Sequence, residues 1–204
     1  MKTLELFSGT KSFSKVAEKL GHKTFTIDIE ARLHPDLFED ISKLKIKDIP
    51  YHPDIIWASP PCTAFSVASI GHHWTGGKGA YIPKTEFAKF SKKLVIKTIK
   101  IIKELKPKYW FIENPRGVLR KMPFMKDMHR VTVSYCQYGD TRMKPTDIWT
   151  NCKEWKPKPM CKNGSPCHIA APRGSRTGTQ GLKNAKDRGV IPPALFEEIF
   201  KAIK

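Results

Sequence analysis

The sequence predicts an α/β domain with a mostly parallel sheet that helices cover on both faces. The apolar run Thr3–Phe7 is closed by Ser8 and Gly9, and residues 11–20 then repeat apolar side chains at helical spacing. Further short apolar runs alternate with helical segments along the chain, which is the pattern of a parallel sheet. A length of 204 residues suits one such domain with a substantial core.

The remaining elements follow from the same periodicities. Further strands are predicted at 23–28, 54–58, 109–112, 130–135 and 146–150. Helices are predicted over about 85–105 and over 194–203. The apolar face predicted for the long helix consists of Phe87, Phe90, Leu94, Val95, Ile99 and Ile102.

The charge of the chain points to a polyanionic partner. The formal net charge is +18, from 37 basic and 19 acidic residues. Such an excess draws in nucleic acid first, although lysine-rich surfaces also serve solubility. No segment approaches the length needed to cross a bilayer, and the start of the chain carries a glutamate within its apolar run, so we expect a soluble protein that is not secreted.

The five cysteines favour reduced thiols or metal binding over a disulfide framework, because their number is odd and Cys62 lies far from the rest. Cys152, Cys161, Cys167 and His168 fall in a polar segment and are the ligand types that zinc prefers. The alternative is a set of reduced thiols in a basic loop. We expect about one bound zinc ion if the first interpretation holds.

Two groups with chemical potential follow two buried-strand candidates. Cys62 stands in a proline-stiffened turn after residues 54–58, and Glu113 and Asn114 follow residues 109–112. Because ligands bind beyond the carboxyl ends of parallel strands, these groups are predicted to meet in one crevice. Taken singly, Cys62 is equally well explained as a structural thiol. Taken singly, Glu113 is better explained as a cap of the following segment or as a partner of Arg116.

Three segments in order resemble the cytosine-C5 DNA methyltransferase family: residues 6–10, 60–66 and 111–115. The resemblance extends more weakly through residues 138–144. It implies a Rossmann-like S-adenosylmethionine-dependent methyltransferase fold with a small irregular C-terminal element. It also implies methyl transfer to C5 of cytosine in DNA.

The resemblance assigns roles to individual positions. The catalytic pair it implies is Cys62, adding to C6 of the base, and Glu113, interacting at N3 and the exocyclic amine. The implied cofactor residues are Phe7, Ser8, Gly9, Thr10, Lys11, Ser12, Asp28, Ile29, Asp40, Ile41 and Pro60. The implied substrate residues are Ser59, Pro61, Ser66, Asn114, Arg142 and Lys144. Residues 69–81 resemble the loop that closes over a flipped base.

Some positions depart from the family pattern. Lys11 and Ser12 follow the first turn where glycine is usual, Pro115 stands in place of a valine, and Thr146 stands where an arginine meets the cytosine carbonyl. Arg142 or Lys144 is therefore expected to replace that arginine.

The resemblance divides the chain into a catalytic domain (1–150), a short target-recognition module that is a candidate for zinc binding (151–188) and a C-terminal helix that packs back (189–204). Within the module, residues 173–181 are expected to form a basic loop that contacts phosphates, or a solvated linker. So small a module implies a site of roughly two or three base pairs, or little sequence preference.

Two rival functions remain from the sequence. The same chemistry acts on RNA cytosine, and a protein that keeps the fold without binding S-adenosylmethionine acts only as a nucleic-acid-binding protein. DNA is the expected partner, a monomer is the expected state, and the expected location is the cytoplasm of a prokaryotic cell or a phage-infected host.

Overall fold

The computed structural model describes residues 1–76, 80–170, 182 and 184–203; the predicted basic loop at 173–181 lies outside them. The strands of the described residues are β1 (Lys2–Leu6), β2 (Lys23–Asp28), β3 (Leu37–Phe38), β4 (Ile55–Ala58), β5 (Trp74–Thr75), β6 (Ile82–Pro83), β7 (Tyr109–Pro115), β8 (Arg130–Ser134) and β9 (Pro145–Thr150). The α-helices are α1 (Ser12–Lys19), α2 (Ile70–His73), α3 (Glu86–Leu105), α4 (Ala185–Gly189) and α5 (Pro193–Ala202).

Seven strands form one sheet in the order β3-β2-β1-β4-β7-β9-β8. The pairs β3–β2, β2–β1, β1–β4 and β4–β7 are parallel, while β9 runs antiparallel to both of its neighbours. The prediction of a mostly parallel sheet is confirmed. The chain leaves β1 toward β2 on one side and returns to β4 on the other, which opens a crevice at the carboxyl ends of β1 and β4.

Alternate residues of the central strands face two separate apolar cores. Ile56 and Ala58 of β4 belong to the core under α3, whereas Ile55 and Trp57 belong to the core that includes α1 and α5. This two-sided burial follows from the period of two in a strand, and it explains why β4 reads as a continuous apolar run.

The long helix begins where the sequence predicts, but its buried face differs. Thr85 caps it by accepting a hydrogen bond from the Ala88 amide at 3.1 Å. Phe87 and Phe90 are 44% and 41% exposed, so their assignment to the buried face is wrong. The buried stripe instead passes through the small residues Ala88 and Ser91.

The segment after β9 starts inside the second core. Cys152 and Trp155 are buried there with Phe196 of α5, and the Trp155 indole donates to Glu198 at 2.9 Å. On the other side, Phe196 packs on Phe13 of α1 with ring centroids 5.5 Å apart. The described helices include none that is both long enough and apolar enough for a bilayer crossing.

Candidate active site

An open cleft of about 1290 Å³ lies at the carboxyl ends of β1, β4 and β7. Most of the predicted site residues line it. From the predicted sets, the lining residues are Phe7, Ser8, Gly9, Thr10, Ser12, Ser59, Pro60, Pro61, Cys62, Ser66, Glu113 and Lys144. The expectation that groups at separate strand ends meet in one crevice therefore holds for this structure.

The turn between β1 and α1 is tightly wound. Phe7, Gly9 and Lys11 all have positive φ, at 57°, 48° and 56°, a region that costs L-residues about 1–2 kcal/mol each. The turn is closed by a 2.7 Å hydrogen bond from the Lys11 amide to the Ser8 carbonyl. Lys11 thus adopts the left-handed conformation without glycine, and its side chain reaches the His34 carbonyl instead of lining the cleft.

Glu5 is a site residue that sequence reasoning missed. Its carboxylate accepts the amides of Phe13 at 3.3 Å and Ser14 at 2.9 Å, which caps the first turn of α1 from the neighbouring strand. Burial raises the pKa of Glu5 to about 7, although both amides and Lys11 act in the opposite direction. A glutamate within an apolar strand was the available signal.

Of the two acids at the end of β2, Glu30 lines the cleft and Asp28 does not. One Asp28 oxygen accepts the Gly9 amide and the other accepts the Glu30 amide, each at 2.8 Å. Asp28 therefore fixes the turn of β1 from the end of β2. Among the described residues, Glu30 lines the cleft, and its exposed carboxylate pairs with Arg32 at 2.9 Å.

Three other predicted cofactor residues, Ile29, Asp40 and Ile41, are not among the residues that line the cleft. Asp40 accepts the Ser42 amide at 2.8 Å and so closes a local turn. Ile41 is only 2% exposed and belongs to the core under α3. Ile29 is 63% exposed beside Glu30, where an apolar side chain is open to a ligand.

The cysteine turn is held from two directions. The Ser59 amide donates to the Leu6 carbonyl at 3.3 Å, and the Ser59 hydroxyl accepts the Trp57 indole at 2.9 Å. From β7, the buried Asn114 amide donates to the Pro60 carbonyl at 2.9 Å. Asn114, predicted to follow the strand and to bind substrate, lies within β7 and joins this strand, which carries Glu113, to the loop that carries Cys62.

Cys62 is exposed to the cleft while protein surrounds its sulfur on the other sides. This partial desolvation raises the pKa of the thiol, and the charge of Glu113 raises it further. Lys144 and Arg188 act in the opposite direction, toward the thiolate. The state of the nucleophile thus depends on the charge of its neighbours.

Glu113 is 5% exposed and held by hydroxyl groups. Tyr135 donates a hydrogen bond to its Oε1 atom at 3.0 Å, and Ser59 hydrogen-bonds the same carboxyl group. Burial raises the pKa of Glu113, while Lys144 and the two hydroxyls lower it. Tyr135 carries no motif signal, and only its position after β8 brings it to the site.

Of the two basic residues predicted to replace the family arginine, the structure places Lys144 at the cleft. Its ammonium group donates to the Arg188 carbonyl at 2.8 Å and lies 4.8 Å from the centroid of the Tyr135 ring. Burial lowers the pKa of Lys144, and Glu113 raises it. Thr146 is fully buried under the Lys144 carbonyl.

Arg142 has a different task from the predicted one. It pairs with Asp140 through Nε and Nη2, and it donates to the carbonyls of residues 187, 188 and 190 at 3.0–3.1 Å. These bonds occupy the five donors of the guanidinium group. Because the side chain is 3% exposed, Arg142 holds the segment that includes α4 and has no donor left for a base.

The predicted metal ligands need one correction. Cys161, Cys167 and His168 come together, but their fourth partner is Cys136 and not Cys152. Cys152 is fully buried in the core beside Trp155, because it follows β9 directly.

The fold places this chain among the methyltransferases of Rossmann-like architecture. It aligns with the Entamoeba histolytica methyltransferase EhMeth at a TM-score of 0.56 and 15% identity, over 78% of this chain and 55% of that one. A "putative DNA modification methyltransferase" encoded within an Escherichia coli prophage aligns at a TM-score of 0.53 and 16% identity, over 79% of this chain and 52% of that one. The chain thus spans about half the length of these two proteins.

Residues 1–128 match the family of C-5 cytosine-specific DNA methylases, and the chain belongs to this family. It is also similar along 98% of its length to the "Probable DNA (cytosine-5)-methyltransferase" of Frog virus 3 (isolate Goorha), of which it covers 98% at 29% identity. The predicted family is confirmed.

Glu5 predicts a pH-dependent stability. The folded protein loses the proton of Glu5 near pH 7 and the unfolded chain near 4.5, so unfolding releases a proton between these values. The free energy of unfolding is therefore expected to fall as pH rises through this window, with a Glu5 contribution of up to about 3 kcal/mol. Denaturant unfolding at several pH values measures this free energy. Its fall with pH should be smaller in Glu5→Gln than in the wild type, and the same as in the wild type in the exposed control Glu104→Gln. Equal slopes in Glu5→Gln and the wild type would contradict the assignment.

Gly117, which follows β7, leaves no room for a side chain against the segment after β4. A Cβ atom at this position would lie 2.3 Å from the Phe65 carbonyl oxygen, which forces the backbone after Cys62 to move. Gly117→Ala is expected to destabilise the fold by about 1–3 kcal/mol. It should also lower methyl transfer by about 10- to 100-fold through misplacement of Cys62.

Thermal unfolding and initial rates measure both effects. Gly71→Ala is the control for stability, since its Cβ meets no atom within 4 Å. A Gly117→Ala protein with wild-type stability and rate would show that the loops move independently.

Proposed function

We propose that this protein transfers the methyl group of S-adenosylmethionine to C5 of cytosine in DNA. The observation that carries the proposal is that Cys62, Glu113 and Lys144 line the same cleft as the turn after β1. Membership of the cytosine-specific methylase family and the name of the viral relative support the same reaction. The net charge of +18 suits a polyanionic substrate.

Cys62 is proposed to start the reaction by adding to C6 of the base. Its thiolate forms the S–C6 bond and moves electron density to C5, which is otherwise a poor nucleophile. Lys144 and Arg188 favour this thiolate. After methylation, the C5 proton passes to solvent, the electron pair of the C5–H bond re-forms the C5–C6 double bond, and the S–C6 bond breaks with its electron pair on sulfur, which regenerates the Cys62 thiolate.

Glu113 is proposed to hold and polarise the base. Since burial raises its pKa, it keeps a proton to higher pH than an ordinary glutamate and donates it toward N3. Tyr135 and Ser59 both hydrogen-bond this carboxyl group and so hold it in place for the base. Lys144 is proposed to donate to the cytosine carbonyl, because Arg142 has no donor left.

S-adenosylmethionine, when bound, supplies an electrophilic methyl group on a sulfonium. The residues present fit such a cofactor: the wound turn Phe7–Thr10 exposes backbone and an aromatic ring to the cleft, and Glu30 offers a carboxylate. Glu30 is proposed to accept the ribose hydroxyls, with Asp28 holding the turn behind it. Ile29 is proposed to contact the adenine through its exposed side chain.

The target cytosine must leave the duplex to reach Cys62, because its face is stacked there. The short segment after β9 is proposed to recognise few base pairs or none in particular. A monomeric state and the cytoplasmic location stay predictions.

Methyl transfer to duplex DNA and to tRNA, measured with labelled cofactor, tests the proposed function. We expect transfer to DNA by the wild type, none by Cys62→Ala, and a loss of about 10²- to 10⁴-fold in Glu113→Gln. Duplex containing 5-fluorocytosine should trap a covalent adduct with the wild type and not with Cys62→Ala. Bisulfite sequencing of the methylated DNA gives the sequence context.

Cys152→Ala is the matched cysteine control, since this thiol lies in the core outside the cleft. Methylation by the Cys62→Ala protein would contradict the covalent mechanism. Transfer to tRNA alone would assign the RNA reaction, and absence of cofactor binding in calorimetry would favour a non-catalytic binding protein.

The assignment of Glu30 to the cofactor gives a separate prediction. Glu30→Gln is expected to weaken S-adenosylmethionine binding by about tenfold or more, because the neutral amide removes a charged acceptor for the ribose hydroxyls. Glu86→Gln is the control, since Glu86 also forms an exposed pair, with Lys89 on α3. Calorimetry measures both affinities, and a Glu30→Gln protein that binds as tightly as the wild type would return the ribose role to Asp28.

A further inference from the structure

Four potential metal ligands converge next to the end of β8 and outside the cleft lining. Cys136 lies in the 3₁₀ helix Tyr135–Tyr138, directly after β8, and Cys161, Cys167 and His168 come from the segment after β9. One ligand atom from each of the four lies within 4.8 Å of every other. Among the described residues, none of the four lines the cleft.

The distances suit a shared ion better than a disulfide. The Cys136 sulfur lies 3.2 Å from that of Cys161 and 3.6 Å from that of Cys167, and the His168 Nδ1 atom lies 3.7 Å from the sulfurs of both Cys161 and Cys167. Zinc bonds of about 2.3 Å to sulfur and 2.0 Å to nitrogen imply tetrahedral edges of about 3.5–3.8 Å. A disulfide needs about 2.05 Å and would leave the third thiol unpaired.

We propose that Cys136, Cys161, Cys167 and His168 bind one zinc ion in a closed tetrahedral site. Three thiolates and an imidazole fill all four positions, so the ion is structural and takes no part in methyl transfer. The thiol protons pass to solvent as the metal binds. The proposal is independent of the catalytic one.

The surroundings fit a thiolate-bound ion. The Gln137 side chain donates to the Cys167 sulfur at 3.3 Å, which is the outer hydrogen bond that orients a metal ligand. Lys158 donates to the Gln137 carbonyl at 3.0 Å and brings a positive charge beside the site. Three thiolates with Zn²⁺ carry one net negative charge, which this lysine helps to balance.

Residues 156–170 have few other contacts that attach them to the rest of the fold, so a bound ion would add an important one. Residues 152–170 contain no helix or strand in the structure, and residues 156–170 follow the last core residue of the segment, Trp155. The Ile169 amide donates to the Thr141 carbonyl at 2.8 Å beside the cluster. A bound ion would therefore fix residues 161–168 to the same 3₁₀ helix that presents Tyr135 to Glu113.

Metal analysis of the full-length protein, purified without chelator under reducing conditions, tests the site. We expect about one zinc per chain in the wild type, and its loss in Cys136→Ser and in Cys167→Ser. Replacement by Co²⁺ should give the visible absorption of a tetrahedral thiolate complex. Cys167 is exposed, so its variant reports on metal binding with little risk to the core.

Two control variants distinguish this site from its alternatives. Cys152→Ala and Cys62→Ala should each keep about one zinc, because neither thiol belongs to the cluster. Zinc lost from Cys152→Ala but kept by Cys136→Ser would overturn the ligand set. A wild type without zinc, without a Co²⁺ thiolate spectrum, or with a Cys136–Cys161 disulfide in its peptide map would overturn the metal site. Methyl transfer by such a protein would still stand as evidence for the catalytic proposal.

Discussion

Asn114 donates a hydrogen bond from its side-chain amide to the Pro60 carbonyl at 2.9 Å, and this bond joins the end of β7 to the loop after β4. Both ends are buried, so breaking it would leave a polar group without water. One residue before Asn114 stands Glu113, and two residues after Pro60 stands Cys62. The separation of the two reactive groups is therefore set by one short connection between neighbouring strands.

The same connection creates an electrostatic problem, because it places an acid and a thiol together in a poorly solvated cleft. Burial disfavours charge on Glu113, Cys62 and Lys144 alike. Lys144 resolves part of the conflict, since it favours the ionised form of either partner. Tyr135 adds a neutral donor to Glu113 and a ring face to Lys144. The site is thus a set of coupled groups, and changing one alters the protonation of the others.

The sequence was sufficient for elements that depend on local pattern. Periodicity places Ser8 and Cys62 just after strands and Glu113 near the end of another, and a parallel sheet brings the three to one edge. The sequence was insufficient where several residues of the same type could fill one position of a site. Cys136 is 25 residues from Cys161 in sequence, and only the turn after β8 brings them within 3.2 Å. For the same reason Asp28 and Glu30 are indistinguishable as ribose acids until their hydrogen bonds are known.

The departures from the family pattern are compensated by nearby groups. Lys11 replaces a glycine in a left-handed turn, which Asp28 holds through the Gly9 amide, while Glu5 caps the first turn of the helix that follows. Thr146 replaces an arginine, and Lys144 brings a cation to the cleft from two residues earlier. Arg142 donates hydrogen bonds to the carbonyls of residues 187, 188 and 190. These bonds hold the segment with α4 in place as one wall of the cleft. The bonds that fix residues 187–190 therefore also shape the cleft that Cys62 lines.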